Sequence, residues 1–170
     1  MNQVNIIIGN VCSVLAMGTD ALSSAQKTAK RVLWVQTLSQ VIYFTGTIVL
    51  KGYSGAVQNA VSIVRNLVAI KNIKSKVLEW SLVVAGVVLG LVFNNLGWMG
   101  LLPVIANFQY TLGVFKFKDN ERALKISFFV AVTLFGIFNL AILNVVGFCT
   151  NMAVAVVTLI NLLKKRPTAC

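Results

Sequence analysis

The chain has 170 residues, of which 58% are apolar and only 11% are charged, and its fifteen Lys and Arg outnumber four Asp and Glu to give a net charge of +11. Soluble domains carry about 25% charged and 45–50% apolar residues, and disordered chains are still more polar. This composition, with a mean hydropathy of +0.85, excludes both classes and indicates an integral membrane protein.

Seven apolar runs follow one another, each close to the roughly 20 residues that a membrane-spanning helix needs. They cover residues 4–22, 32–50, 53–70, 77–93, 97–115, 126–143 and 145–163. The connections are short, and no soluble domain fits between them. No basic residue precedes the first run, so it does not have the form of a cleavable signal peptide. We predict an all-α membrane protein with seven transmembrane helices.

The basic residues alternate between the connections and predict an orientation. Thirteen of the fifteen lie between runs one and two, three and four, five and six, and after run seven. Lys51 is on the opposite side, and Arg65 is inside run three. Because cytoplasmic loops retain Lys and Arg, the N-terminus is predicted to be periplasmic and the C-terminus cytoplasmic.

An internal repeat is suggested by the odd number of runs. A shift of 92 residues places Gly55 on Gly147 and Asn59 on Asn151. We predict a first three-helix bundle at 1–76, a linker helix at 77–96, and a second bundle at 97–170 that ends in a basic cytoplasmic tail. Parallel repeats of this kind are related by an axis along the membrane normal. A chance alignment of apolar runs is the competing interpretation.

Run three carries the richest polar stripe. Helical spacing places five polar side chains on one face: Gln58, Asn59, Ser62, Arg65 and Asn66. Polar groups are costly in hydrocarbon, so the stripe is predicted either to line a cavity or to hold helices together by hydrogen bonds. Arg65 lies near the cytoplasmic end, where it could reach the interface or pair with Glu79 as a gate or anchor.

Run five adds a proline and an asparagine. Pro103 removes a backbone hydrogen bond, which suits a hinge or gate, and Asn107 follows it by one helical turn. Asn107 and Asn151 join Gln58, Asn59 and Ser62 as candidate substrate-binding residues. The remaining polar residues, such as Asn10 and Ser13, are interpreted as packing contacts.

The segments GAVQNAVSIVRN at 55–66 and LLPVIAN at 101–107 resemble the bacterial inner-membrane YgjV family, over essentially the whole chain. More distantly, the three-one-three plan is similar to the SWEET and PQ-loop (MtN3-like) transporter superfamily. The resemblance implies a multi-pass protein of the inner membrane, with a central cavity flanked by Asn59 and Asn151. The chain departs from that superfamily in having no proline in run one to match Pro103.

Two functions follow as hypotheses. The first is a facilitator that moves a small, polar, uncharged solute such as a sugar by alternating access. The alternative is a membrane scaffold or accessory protein without transport activity. With no His and four acids, we expect no enzyme, cofactor, metal or nucleic-acid partner. The lipid bilayer and the solute are the expected partners, and a homo-oligomer is left open.

Overall fold

The computed structural model of the chain describes residues 2–24, 29–71, 73, 75–117 and 121–163. Within these residues the chain is all-helical, and the predicted number of seven helices is confirmed. The helices are α1 (Gln3–Ser24), α2 (Ala29–Val49), α3 (Tyr53–Ile70), α4 (Lys76–Val92), α5 (Trp98–Phe117), α6 (Glu121–Ala141) and α7 (Val145–Leu163).

Two of the connections have the same backbone geometry. Lys51, between α2 and α3, and Leu143, between α6 and α7, both adopt the left-handed conformation, with φ of 59° and 61°. L-residues other than Gly, Asn and Asp seldom adopt this region, so the tight turn imposes it on both side chains. The next amide in each turn bonds back five residues, from Gly52 to Thr47 and from Asn144 to Asn139, at 2.9 Å each.

The helices pack as two sets of three with α4 beside them. α2 packs against α1 and α3, and α6 packs against α5 and α7. The two sets meet where α3 contacts α5 and where α1 contacts α7, while α4 packs on α3 and α5. This arrangement places α1, α2, α3, α5, α6 and α7 around a common centre and leaves α4 on the periphery.

Several glycines lie at close helix contacts, and two of them are on α3 and α4. A Cβ atom on Gly90 of α4 would overlap Gln58 of α3 and Val104 of α5, so only glycine lets these three helices approach. A Cβ atom on Gly55 of α3 would overlap the ring of Phe138 on α6. Phe138 is fully buried with Leu50 and Ile142 in an apolar cluster where the two sets meet.

Polarity is distributed in the opposite way to that of a soluble domain. Among the described residues, buried side chains are more often polar than hydrophobic, and they include Gln58, Asn107 and Asn144. Large apolar side chains cover the outside, with exposed fractions of 63% at Ile7, 56% at Val84 and 57% at Val157. The polar stripe predicted in run three is confirmed as a buried helix face.

The predicted runs are confirmed as helices but not as membrane spans. Within the described residues, no helix combines the length and the apolarity that crossing a membrane takes. In α3 the polar stripe lowers the apolarity of the 18-residue helix. α4 is apolar but has only 17 residues, about 26 Å of helix against a hydrocarbon core of about 30 Å.

Candidate functional site

A cavity of about 720 Å³ lies between the first three helices and the last three. Every helix except α4 contributes to its wall. The aromatic and apolar part of the wall comes mainly from α6 and α7. The polar part includes Asp20, Gln40, Tyr43, Asn59, Ser62, Arg65, Asn66, Asn107, Asn139 and Asn151. Its size and its mixed lining are typical of sites for small molecules.

Asn107 of α5 is the centre of a hydrogen-bond network at one side of the cavity. Its amide nitrogen donates to Gln58 Oε1 at 2.8 Å. Its carbonyl oxygen accepts from Ser62 Oγ and from Arg65 Nη1, both at 3.2 Å. Gln58 in turn donates from Nε2 to the carbonyl oxygen of Gly86 on α4 at 2.7 Å. One amide therefore links three side chains of α3 to α5, and Gln58 extends the network to α4.

The guanidinium of Arg65 is held against α5. Besides Asn107, its Nη1 donates to Thr111 Oγ1 at 3.2 Å. Its Cζ atom lies 5.2 Å from the centre of the Tyr110 ring, a cation–π distance. These contacts fix a buried cation at the wall of the cavity, with an exposed fraction of only 9%.

The sequence predicted an ion pair or interface anchor formed by Arg65 and Glu79, and the structure gives Arg65 other partners. Glu79 lies in the first turn of α4, and no ion pair joins these two described residues. The polar stripe of α3 is turned toward α5, where neutral acceptors lie within reach of the guanidinium. The Arg65 guanidinium therefore has hydrogen-bond partners without extending toward the end of α3.

The structure brings four of the five candidate substrate-binding residues to one cavity. Asn59, Ser62, Asn107 and Asn151 all line it. Asn59 Nδ2 has one long hydrogen bond, 3.4 Å to Thr47 Oγ1, and no described residue bonds to the Asn151 amide. The amides of Asn59 and Asn151 therefore retain capacity to bind another molecule.

Gln58 and Pro103 lie outside the cavity wall. Both ends of the Gln58 amide are occupied by protein groups, at Gly86 and Asn107. Pro103 is fully buried inside α5, which continues as a helix on both sides of it. Its role as a hinge stays a prediction.

A carboxylate cluster on α1 and α2 was not among the predicted site residues. Ser39 Oγ of α2 donates a hydrogen bond to the carboxylate of Asp20 on α1, and the hydroxyl of Tyr43 interacts with the same carboxylate. Thr19 Oγ1 donates to Ser39 Oγ at 2.9 Å. Asp20 and Tyr43 line the cavity. The available signal was a carboxylate inside an apolar run, which marks a functional residue by default.

The interpretation of Asn10 and Ser13 as packing residues agrees with their contacts. Ser13 Oγ and the Asn144 amide exchange hydrogen bonds of 2.9 and 2.7 Å between α1 and the start of α7. Asn144 Oδ1 also accepts from the Gly147 amide at 2.9 Å, as a helix N-cap does. Asn10 Oδ1 accepts from the Val146 amide at 2.9 Å. These residues join α1 to the α6–α7 connection.

The family assignment comes from a comparison with protein families. The model of the Imp-YgjV family, described as bacterial inner membrane protein, matches residues 7–168. The chain belongs to the Imp-YgjV family. This confirms the resemblance drawn from residues 55–66 and 101–107, and it makes the chain a member of a bacterial inner membrane protein family. No curated protein and no solved structure matches the chain.

Proposed function

We propose that this Imp-YgjV member is a facilitator that lets a small polar solute cross the bacterial inner membrane. The observation that carries the proposal is the cavity of about 720 Å³ between the two three-helix sets, with asparagine amides on its wall. Transporters built from repeated bundles bind their substrates at the interface of the repeats. A cavity of this volume accommodates a solute the size of a sugar or an amino acid.

The distribution of polarity supports placing the bundle in the bilayer. Side chains on the outside are large and apolar, whereas the polar ones face the cavity or other helices. Polar groups that hydrogen-bond within a bundle are not in contact with lipid, so the low apolarity of a single helix such as α3 is compatible with an embedded bundle. The family description, bacterial inner membrane protein, supports the same placement.

Backbone hydrogen bonds support the proposed repeat. In the α2–α3 turn, the amides of residues 50, 51, 52 and 56 donate to the carbonyl oxygens of residues 46, 48, 47 and 52. In the α6–α7 turn, the amides of residues 142, 143, 144 and 148 donate to those of residues 138, 140, 139 and 144. Each pair is offset by 92, the shift that aligns Asn59 with Asn151 in the sequence.

The orientation is proposed from the basic residues and is tested by reporter fusions. A reporter placed after Lys165 should show a cytoplasmic C-terminus, and one placed after Lys51 should show a periplasmic connection. Alkaline phosphatase and a fluorescent protein report opposite sides of the membrane, so at each position one fusion is the control for the other. A periplasmic signal after Lys165 would overturn the proposed orientation.

The proposed substrate wall is tested by Asn59→Ala and Asn151→Ala. Each amide contributes little to the fold, because the bond from Asn59 is long and no described residue bonds to Asn151. Loss of a substrate contact costs about 1–3 kcal/mol, so the apparent affinity for a transported solute should fall about 10- to 100-fold while the melting temperature stays unchanged. The matched control is Asn5→Ala, in the first turn of α1 and outside the cavity wall, where the side chain forms no hydrogen bond with a described residue.

The network around Asn107 favours a second candidate function, that of a membrane scaffold. Gln58, Ser62 and Arg65 use their polar atoms to join α3 to its neighbours. If Asn59→Ala and Asn151→Ala lower the melting temperature and leave solute flux unchanged, their amides stabilise the bundle, and the scaffold is favoured over the facilitator.

A further inference from the structure

Arg65 places a buried positive charge on the wall of the cavity, and among the described residues no carboxylate balances it. Its partners among the described residues are neutral: the oxygens of Asn107 and Thr111 and the ring of Tyr110. A buried charge that lacks an opposite charge is costly, and neutral acceptors compensate for only part of this cost. A ligand that brings a negative charge to this wall would complete the compensation.

The guanidinium also has donors left over. Both of its hydrogen bonds come from Nη1, whereas Nε and Nη2 have no acceptor among the described residues. In that part of the chain Ser54 Oγ is the one fully enclosed side-chain nitrogen or oxygen without a hydrogen-bond partner. Nε and Nη2 therefore keep access to open space, and the space beside Arg65 is the cavity. A pair of adjacent guanidinium N–H groups matches the two oxygens of a carboxylate.

Asp20 supplies the opposite charge on another wall of the same cavity. Its carboxylate accepts a hydrogen bond from the Ser39 hydroxyl, and its other polar neighbour is the neutral hydroxyl of Tyr43. No Lys or Arg among the described residues forms an ion pair with it. In the described part of the chain, the cavity thus presents one cation, Arg65, and one anion, Asp20, each held by neutral groups.

The two charges lie at similar depths. Asp20 precedes the last residue of α1, Ser24, by four positions, and Arg65 precedes the last residue of α3, Ile70, by five. Consecutive helices joined by short connections run antiparallel, so α1 and α3 point the same way. At 1.5 Å per residue, both side chains start about 6–8 Å from the same end of the bundle.

We propose that the cavity binds a small zwitterion of the amino-acid type, whose carboxylate pairs with Arg65 and whose ammonium group pairs with Asp20. This inference rests on the proposed function and changes its substrate class, because the sequence predicted an uncharged solute. A sugar would leave both charges without a counter-charge, and a simple anion or cation would satisfy only one of them. The amides of Asn59 and Asn151 would contact the rest of the molecule.

The test measures ligand binding to the full chain in detergent, by thermal stabilisation and calorimetry. The zwitterionic probes are glycine, β-alanine and 4-aminobutyrate, which differ in the distance between their charges. Acetate, ethylamine and glucose are the matched probes with one charge or none. Glycerophosphoethanolamine represents a zwitterionic lipid headgroup. We expect at least one amino-acid probe to bind tenfold or more tightly than each of the other four.

Four variants connect binding to the two charges. Arg65→Gln and Asp20→Asn should each weaken the best zwitterion about 10- to 100-fold. In Arg65→Gln, ethylamine should bind as well as the zwitterion, because the carboxylate no longer contributes; a purely structural role would not remove this preference. Arg65→Lys should restore part of the preference through its charge. Glu79→Gln, outside the cavity, should change nothing.

The possible outcomes distinguish a failure of the zwitterion proposal from a failure of the proposed facilitator function. Preferred binding of glucose, acetate or glycerophosphoethanolamine would overturn the proposal of a zwitterionic ligand. Zwitterion binding that is unchanged in Arg65→Gln would overturn it as well. Glucose that binds and is transported would overturn the inference and leave the facilitator intact. A zwitterion that binds through both charges but does not cross proteoliposomes would support the inference and contradict the facilitator.

Discussion

Asn107→Leu should lower the free energy of unfolding by about 3–5 kcal/mol, because buried donors and acceptors that lose their hydrogen-bond partner cost about 1–3 kcal/mol each. Leucine has a similar volume but no polar atoms. The change would remove the acceptor of Arg65 and Ser62 and the donor to Gln58. Those groups are buried on α3; Gln58 and Ser62 would lose their hydrogen bond to α5, and Arg65 would keep only its contacts with Thr111 and Tyr110. Thermal or denaturant unfolding of the purified chain measures the effect.

Thr111→Val is the matched control for this substitution. It removes one acceptor of Arg65 and keeps the bond from Arg65 to Asn107. We expect a loss of about 1 kcal/mol, typical of one hydrogen bond. If Asn107→Leu costs no more than Thr111→Val, Asn107 is not the centre of the network.

The second large effect is expected for Phe138→Ala, at about 3–5 kcal/mol. The ring is only 1% exposed and is packed with Leu50 and Ile142. It also occupies the space beside Gly55, where α3 of one set approaches α6 of the other. Because tight turns connect the neighbouring helices, these helices would fill only part of the void left by the ring.

Phe108→Ala is the control for Phe138→Ala, because Phe108 is on a neighbouring helix and is 42% exposed. Its removal should cost less than about 1 kcal/mol, as for a side chain that packs on one side only. Both variants are measured by thermal unfolding in the same detergent. Equal losses in the two variants would contradict the assignment of Phe138 to the junction of the two three-helix sets.

The number and order of the helices could be predicted because each apolar run is bounded by polar connections. The first and last residues of the helices were predicted less accurately, because a helix can extend beyond its apolar run. The sixth run was predicted from residue 126, whereas α6 begins at Glu121. Residues 121–125 are Glu, Arg, Ala, Leu and Lys, which favour a helix although they are not uniformly apolar.

The buried face of α3 could be predicted from the spacing of its polar residues, but the partners of those residues could not. Gln58 bonds to the backbone of Gly86 because Gly90 lets α4 approach closely, and this depends on helix packing rather than on local sequence. For Arg65 the sequence left open a position at the interface or a pairing with Glu79, whereas the direction of the stripe brings it to α5. The role of Asp20 depends on α2 lying beside α1.

The central claim, that a solute passes through the cavity between the two three-helix sets, is tested most directly by uptake into proteoliposomes. Labelled glycine, 4-aminobutyrate and glucose are the probes. Ala153 is exposed and lines the cavity, so Ala153→Trp should narrow the cavity and obstruct passage. Ala69→Trp adds the same bulk to an exposed position of α3 outside the cavity wall. We predict uptake of at least one probe above that of protein-free vesicles, its loss in Ala153→Trp and its retention in Ala69→Trp. Uptake equal to that of protein-free vesicles, or uptake that Ala153→Trp leaves unchanged, would contradict the claim.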